Sequence, residues 1–213
     1  MEQARFNMVE QQIRPWDVLD MQVLDLLGRV KREQFVPPAS RDMAFMDMEL
    51  PLGLNASMWQ PKLEARAVQA LRLQPRDRVL EVGSGSGYLT ALLANLAEHV
   101  TSVEIAPELH AFAEKNLAAQ KIDNVTLMLG DAANGWAGEY DAIVLTGSVP
   151  VLPEAFLKSL KPGGRLFAIV GDAPAMQARL ITCVEPGKFD SVTLFETSVA
   201  PLRNAPQPER FVF

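Results

Sequence analysis

The chain holds one cysteine and two histidines in 213 residues and has no surplus of positive charge. The single thiol, Cys183, excludes an internal disulfide and any cysteine-clustered metal site. It lies in the strand-like run Leu180–Val184, where a small buried hydrophobe is expected rather than a nucleophile. His99 and His110 flank a predicted strand and form no metal motif. Twenty-six acids against 20 lysines and arginines leave a net charge of −6. That balance disfavours nonspecific nucleic-acid binding, which depends on neutralising phosphates. No apolar run approaches the ~20 residues that span a bilayer, so no membrane partner is expected. The N-terminus, Met1–Asn7, is polar and lacks the apolar core of a signal peptide. A cytoplasmic, monomeric protein is the expectation. Composition is otherwise globular, 48% apolar and 22% charged. The length fits one large domain, or one domain with an extension, and suffices to bury roughly 70% of the unfolded surface.

Residues 1–75 read as a helical N-terminal extension and 76–213 as an α/β domain. Two helices are predicted over 1–14 and 18–30, split at Arg14-Pro15-Trp16-Asp17, with Asp17 capping the second. Leu19, Val23, Leu27 and Val30 fall at helical spacing. Phe35–Ala39, with two prolines, stops the helix, and 40–60 reads as irregular and methionine-rich. Pro61 opens a further helix that runs through Leu73. Strands are then predicted at Arg78–Val82, Val100–Ile105, Asn124–Leu129, Tyr140–Thr146 and Gly164–Val170. They alternate with helices at 87–97, 107–120 and 153–160, which implies a parallel sheet covered on both faces. Two more strands, 176–185 and 189–199, joined through Pro186-Gly187, add an antiparallel element. The fold class is therefore α/β: a Rossmann-like, doubly wound, mostly parallel sheet of about seven strands.

The chemistry concentrates at the ends of these strands. Val79–Tyr88 carries glycines at 83, 85 and 87 between an apolar strand and a helix. Such a turn lets a ligand approach the backbone and aims helix N–H groups at it. A dinucleotide fingerprint needs its third glycine one residue later, where this chain has Tyr88. The next strand ends in Glu104, 23 residues after Glu81 and flanked by Val103 and Ile105; an acid there can bind both hydroxyls of a ribose. The strand after that leads into Gly130-Asp131-Ala132, where Asp131 can accept from an adenine amino group and Ala132 leaves room for the ring. Ordinary turn chemistry is the competing reading of that Gly-Asp pair. A fourth strand end, Thr146-Gly147-Ser148, faces the same edge, where open α/β sheets bind ligands.

Glu81-x-Gly83-x-Gly85-x-Gly87 resembles motif I of the class I S-adenosylmethionine-dependent methyltransferases. The resemblance implies that the glycines admit the methionine part of that cofactor and that Glu81 serves its cationic end. It implies cofactor contacts at Glu81, Gly83, Ser84, Gly85, Gly87, Tyr88, Glu104, Ile105, Asp131 and Ala132. More closely, the chain resembles the protein-L-isoaspartate O-methyltransferase family over nearly its whole length. The matching pieces include Met8–Ile13, Val30–Pro37, Met46–Gly53, Leu160–Leu166 and Val199–Leu202. The N-terminal pieces are the specific ones, since most class I methyltransferases lack them. The implied acceptor is an isoaspartyl residue of a protein or peptide, with Ser57, Trp59, Thr146 and Ser148 as candidate contacts. An unidentified small molecule is the alternative acceptor, and an idle cofactor-binding protein the alternative function. One departure stands out. The family carries Thr-Ile-Ser-x-Pro, and aligning its proline on Pro61 puts Trp59 where the active-site serine belongs. A tryptophan is large and only donates, so it cannot substitute for a small hydroxyl. A carboxylate acceptor is already deprotonated at neutral pH and needs no general base. For other acceptors Asp47, Glu49 and Glu64 are the candidate bases.

Overall fold

The structure, a computed structural model, describes residues 1–208. The chain opens with α1 (Glu2–Asn7), which continues as a π-helical turn over Met8–Ile13 and a 3-10 turn over Arg14–Trp16. The predicted single helix over 1–14 is thus three tighter and looser pieces, the last holding Pro15 and closing on Asp17. The second helix, α2, spans Met21–Arg29, and its cap is Asp20, not Asp17. The Asp20 carboxylate accepts from Gln22 N at 2.9 Å and Val23 N at 3.4 Å. Asp17 instead takes a left-handed turn at φ 59°. This shift leaves Leu19 outside the helix and 69% exposed, while Val23 and Leu27 are buried.

The stretch expected to be irregular holds a 3-10 turn over Pro38–Met43 and a small hairpin, β1 (Leu50–Gly53) with β2 (Ala56–Met58). Three successive positive φ values at Gly53, Leu54 and Asn55 turn it. Pro61 does open α3, over Pro61–Leu71. Then follow β3 (Arg78–Val82), α4 (Tyr88–Ala94), β4 (His99–Glu104), α5 (Pro107–Ala119), β5 (Val125–Leu129) and β6 (Tyr140–Val149). The chain closes with α6 (Glu154–Lys158), β7 (Leu160–Val170), β8 (Met176–Glu185) and β9 (Lys188–Thr197). The sheet order is β5-β4-β3-β6-β7-β8-β9, parallel from β5 to β7 and antiparallel at β8 and β9. This is the doubly wound, mostly parallel sheet with an antiparallel C-terminal element.

Period-two alternation sends neighbouring strand residues into different layers. Val79, Val144, Phe167 and Ile169 join one core cluster; Leu80, Ile143, Leu145 and Leu166 join the other. The first cluster also takes Met8, Ile13, Phe35, Trp59 and Leu92, so residues before 76 form part of the core on that face. No helix among the described residues is long and apolar enough to cross a membrane.

Candidate active site

A pocket lies at the carboxyl edge of β3, β4 and β6 and is walled by Gly83, Gly85, Glu104, Asp131 and Thr146 from these strands and loops. The three glycines of the first turn all have positive φ, 98°, 52° and 80°. Their surroundings differ. A Cβ on Gly83 would collide with Thr146 Oγ1, and one on Gly87 would press on the Ala113 backbone at 3.3 Å. A Cβ on Gly85 would meet only Leu52 Cδ1, at 3.2 Å. Gly83 and Gly85 line the pocket; Gly87, expected as a ligand contact, is not part of that lining and lets α4 close onto α5.

Glu104 is 5% exposed and grips the turn: its Oε2 accepts from Gly85 N and its Oε1 from Ala106 N, both at 3.0 Å. Each oxygen keeps lone-pair capacity for a diol. Ile105 and Ala132 line the same wall. The exposed Asp131 accepts from Ala133 N at 2.9 Å through Oδ1 and from Asn204 Nδ2 at 2.7 Å through Oδ2. The order along the edge, Asp131 then Glu104 then Gly85, fits an adenine, a ribose and an amino-acid tail laid across successive strand ends. Gly85, where a Cβ would meet Leu52 Cδ1 at 3.2 Å, is the turn residue placed closest to such a group.

Two expected contacts lie elsewhere. Glu81 is fully buried behind the turn rather than in the pocket. Its place in β3 points it to the α4 face, where its Oε2 accepts from Thr90 Oγ1 at 2.5 Å and Ser102 Oγ at 2.6 Å. Ser102 also shares a 2.6 Å bond with Ser84, so Glu81 reaches the pocket wall only through two serines. Its Oε1 has no partner among the described residues. Burial pushes its pKa up to about 8, against the two hydroxyl bonds, with Glu104 and Glu64 adding repulsion. Tyr88 is a core residue, 1% exposed, edge-on to Phe35 with the Arg32 guanidinium over its ring. Strand and helix periodicity, applied one residue at a time, would have assigned both inward.

At the other end of the pocket, Ser57 and Trp59 line the wall beside the β1–β2 hairpin. Trp59 is 6% exposed and meets Phe167 edge-on, at 6.3 Å between ring centroids. Thr146 also faces the pocket, though its Oγ1 is committed to the Val82 and Gly83 carbonyls at 2.8 and 2.9 Å. Ser148 does not face it. The β6 strand continues to Val149, and Ser148 is 1% exposed with its hydroxyl on Val199 O at 3.3 Å. Its amide and carbonyl hold Ala200 and Leu202, at 3.0 and 2.9 Å. They hang the segment 200–203 over the pocket, where Arg203 Nη2 reaches the hairpin at Leu54 O. The sequence matched this Val-Ala-Pro-Leu segment without assigning it a part in the site.

Of the three candidate bases, only Glu64 lines the pocket. Asp47 pairs with Lys62 at 2.7 Å, and half-buried Glu49 stands apart, its pKa raised by burial. Glu64 is 2% exposed and bonded by Arg32 Nη1; burial pushes its pKa up to about 8 against the pull of that guanidinium. No cluster of metal-binding side chains occurs among the described residues.

A family model described as protein-L-isoaspartate(D-aspartate) O-methyltransferase matches residues 3–202. The chain is 41% identical over 192 residues to protein-L-isoaspartate O-methyltransferase 1 of Anaeromyxobacter sp. (strain Fw109-5), covering 89% of each. It is 39% identical over 187 residues to the protein-L-isoaspartate O-methyltransferase of Yersinia enterocolitica, covering 87% of this chain and 88% of that one. Among solved structures, a protein-L-isoaspartate O-methyltransferase superposes with TM-score 0.79 at 25% identity, over 94% of this chain and 65% of that one. A Plasmodium falciparum protein assigned to the same activity, crystallised with S-adenosyl-L-homocysteine, gives TM-score 0.79 at 21% identity, over 93% and 98%. That last likeness bears on the fold alone.

Proposed function

The chain belongs to the protein-L-isoaspartate(D-aspartate) O-methyltransferase family, and from that premise we propose that it methylates the free carboxyl of isoaspartyl residues in proteins or peptides, with S-adenosylmethionine as methyl donor. The donor supplies a methyl group on a cationic sulfur. The chain's part is positional, because an ionised carboxylate is already a nucleophile and alignment of the reacting atoms supplies most of the rate. In this reading Asp131 accepts from the adenine amino group beside Ala132 and Ile105, and Glu104 takes the ribose hydroxyls. Gly83, Ser84 and Gly85 cradle the methionine part. Thr146, Ser57 and Trp59 bound the space where the acceptor carboxylate meets the methyl group. Arg203, at the mouth of the pocket, supplies a cation toward an anionic acceptor.

The observation that carries the reading is the Gly85 turn clamped by Glu104 within a family match over residues 3–202, which holds all of the pocket but Arg203. The test is release of S-adenosylhomocysteine with an isoaspartyl peptide and with its aspartyl counterpart. Turnover is expected with the first peptide only. Gly85→Val is the informative variant, since its added methyls enter the pocket next to Leu52. It should lose cofactor binding by calorimetry, with thermal unfolding run alongside to read the strain that any side chain brings at φ 52°. Gly83 is unsuitable, because there a side chain meets Thr146 whether or not a ligand is present. Binding in Gly85→Val within a few-fold of the native protein would refute the assignment of this turn.

A further inference from the structure

We propose that Glu64, in its protonated form and braced by Arg32, is the hydrogen-bond donor that holds the acceptor carboxylate in this chain. The inference rests on the carboxyl-methylation reading above and names a donor beside Trp59, which stands where the family resemblance places its serine. With the family's proline aligned on Pro61, Trp59 stands at the serine's position and offers no small hydroxyl there, while Ser57 lies two residues earlier on the same wall. Five residues beyond Trp59, one turn into α3, Glu64 lines the same pocket. Its Oε2 receives Arg32 Nη1, whereas Oε1 has no hydrogen bond among the described residues. One carboxyl oxygen is anchored, and the other makes no hydrogen bond among the described residues on a side chain that lines the pocket.

The bracing is deliberate in its chemistry. Arg32 is fully buried, and its other donors are fixed on Ala44 O at 2.8 Å and Trp59 O at 2.6 Å. It cannot swing into the pocket to meet an acceptor itself. An ionised Glu64 would neutralise Arg32 and repel an incoming carboxylate. A protonated Glu64 leaves the Arg32 charge in force and presents an O–H to the acceptor, so an anionic acceptor and a neutral Glu64 favour each other. Burial pushes the same way, and the Arg32 guanidinium opposes it. Burial raises the Glu64 pKa to about 8, so the neutral form prevails near pH 7. Behind it stand Glu81 on β3 and Glu33, the latter paired with Arg5, and the Tyr88 hydroxyl lies on α4. Glu104 lines the same pocket.

In the transfer, the acceptor oxygen forms its bond to the methyl carbon as the carbon–sulfur bond breaks and its electron pair stays on sulfur. The products are a methyl ester and S-adenosylhomocysteine; no proton moves, and Glu64 keeps its own. The acceptor is most negative before transfer, so the donated bond holds the ground state most strongly. Its loss should appear in KM rather than kcat.

The experiment measures S-adenosylhomocysteine release from an isoaspartyl peptide against pH for the native protein, Glu64→Ala and Glu64→Gln. Cofactor affinity by calorimetry and thermal unfolding serve as controls. Native kcat/KM should fall as pH rises through about 8. Glu64→Ala should raise KM about ten- to a hundredfold, the scale of a lost hydrogen bond to a charged group, with cofactor affinity within about twofold. Glu64→Gln, which can still accept from Arg32 and donate from Nε2, should bring KM back to within about threefold and abolish the alkaline fall. A native KM in Glu64→Ala, or an alkaline fall that persists in Glu64→Gln, overturns the proposal while the carboxyl-methylation reading stands. If Glu64→Ala fails to fold, the Glu64→Gln profile decides alone. Native activity that rises through pH 8 overturns it in favour of Glu64 as a base for a neutral acceptor. A native protein that binds S-adenosylmethionine yet methylates no isoaspartyl peptide removes the parent reading and this one together.

Discussion

Glu81 shows how a residue can be right in type and wrong in reach. Motif spacing singled it out, and the structure gives it a buried post behind the turn, tied to Thr90 and Ser102. Its pKa, about 8 against an ordinary 4.5, means that between those values the folded protein binds a proton that the unfolded chain has lost. Stability must then fall as pH rises from about 4.5 through about 8. Glu81→Gln keeps both acceptor bonds and carries no charge to bury. It should leave the melting temperature near native at about pH 5 and raise it at about pH 8.5, by roughly 1–3 kcal/mol or some 2–4 °C per kcal/mol. Equal melting temperatures at both pH values would show that Glu81 is not the titrating group. The glycines teach the same lesson. Their spacing was legible because positive φ leaves a compositional mark. Their division into Gly83 and Gly85 at the pocket and Gly87 packed on α5 was not, because it depends on Ala113, which lies further along the chain.

At the scale of elements, the βα alternation was legible because buried parallel strands are short apolar runs, and β3 matches its expected bounds of Arg78–Val82. The misread elements are those whose cues are local hydrogen bonds. For α2, Asp17 and Asp20 are equally good caps by residue type. The choice falls to Asp20 because Gln69, on α3, anchors the preceding turn: its Oε1 accepts from Leu19 N and Asp20 N, and its Nε2 donates to Asp17 O. That tertiary grip leaves no trace in the sequence of the helix itself. Asp20→Ala should cost about 1 kcal/mol of unfolding free energy in a denaturant titration, and Asp17→Ala well under half of that. Equal costs would restore the sequence-based assignment. The β1–β2 hairpin was missed for a related reason. Its turn places Leu54 in a left-handed conformation, which composition does not advertise.

For the whole molecule, the question is whether the first 75 residues are an appendage or half of one core. Sequence reasoning divided the chain at 75 because periodic βα signals begin there. The side chains ignore that boundary. Met8, Ile13, Leu27, Phe35, Leu50 and Trp59 share one cluster with Val79, Leu92, Val144 and Phe167. Polar ties cross it too, since Asn116 Nδ2 on α5 donates to both Phe35 O, at 3.5 Å, and Ser86 O, at 2.9 Å. Arg165 on β7 reaches back to the Leu71 and Arg72 carbonyls, at 2.8 and 3.1 Å. Removing the N-terminal part would strip one face of the sheet near β6 and β7 and expose Phe167 and Ile169, each fully buried in the intact chain. Each such side chain contributes about 1.5–3 kcal/mol of burial, so a handful of them equals the whole stability of an ordinary domain. A fragment of residues 76–213 should therefore lack a cooperative thermal transition and bind hydrophobic dyes, whereas the full chain should unfold in a single transition whose calorimetric and van't Hoff enthalpies agree. A fragment that melts cooperatively would establish two folding units. The two results also differ for function, because Ser57, Trp59 and Glu64 belong to the removed part. A folded fragment could still bind the cofactor through Gly85 and Glu104 but would have no wall against which to hold an acceptor.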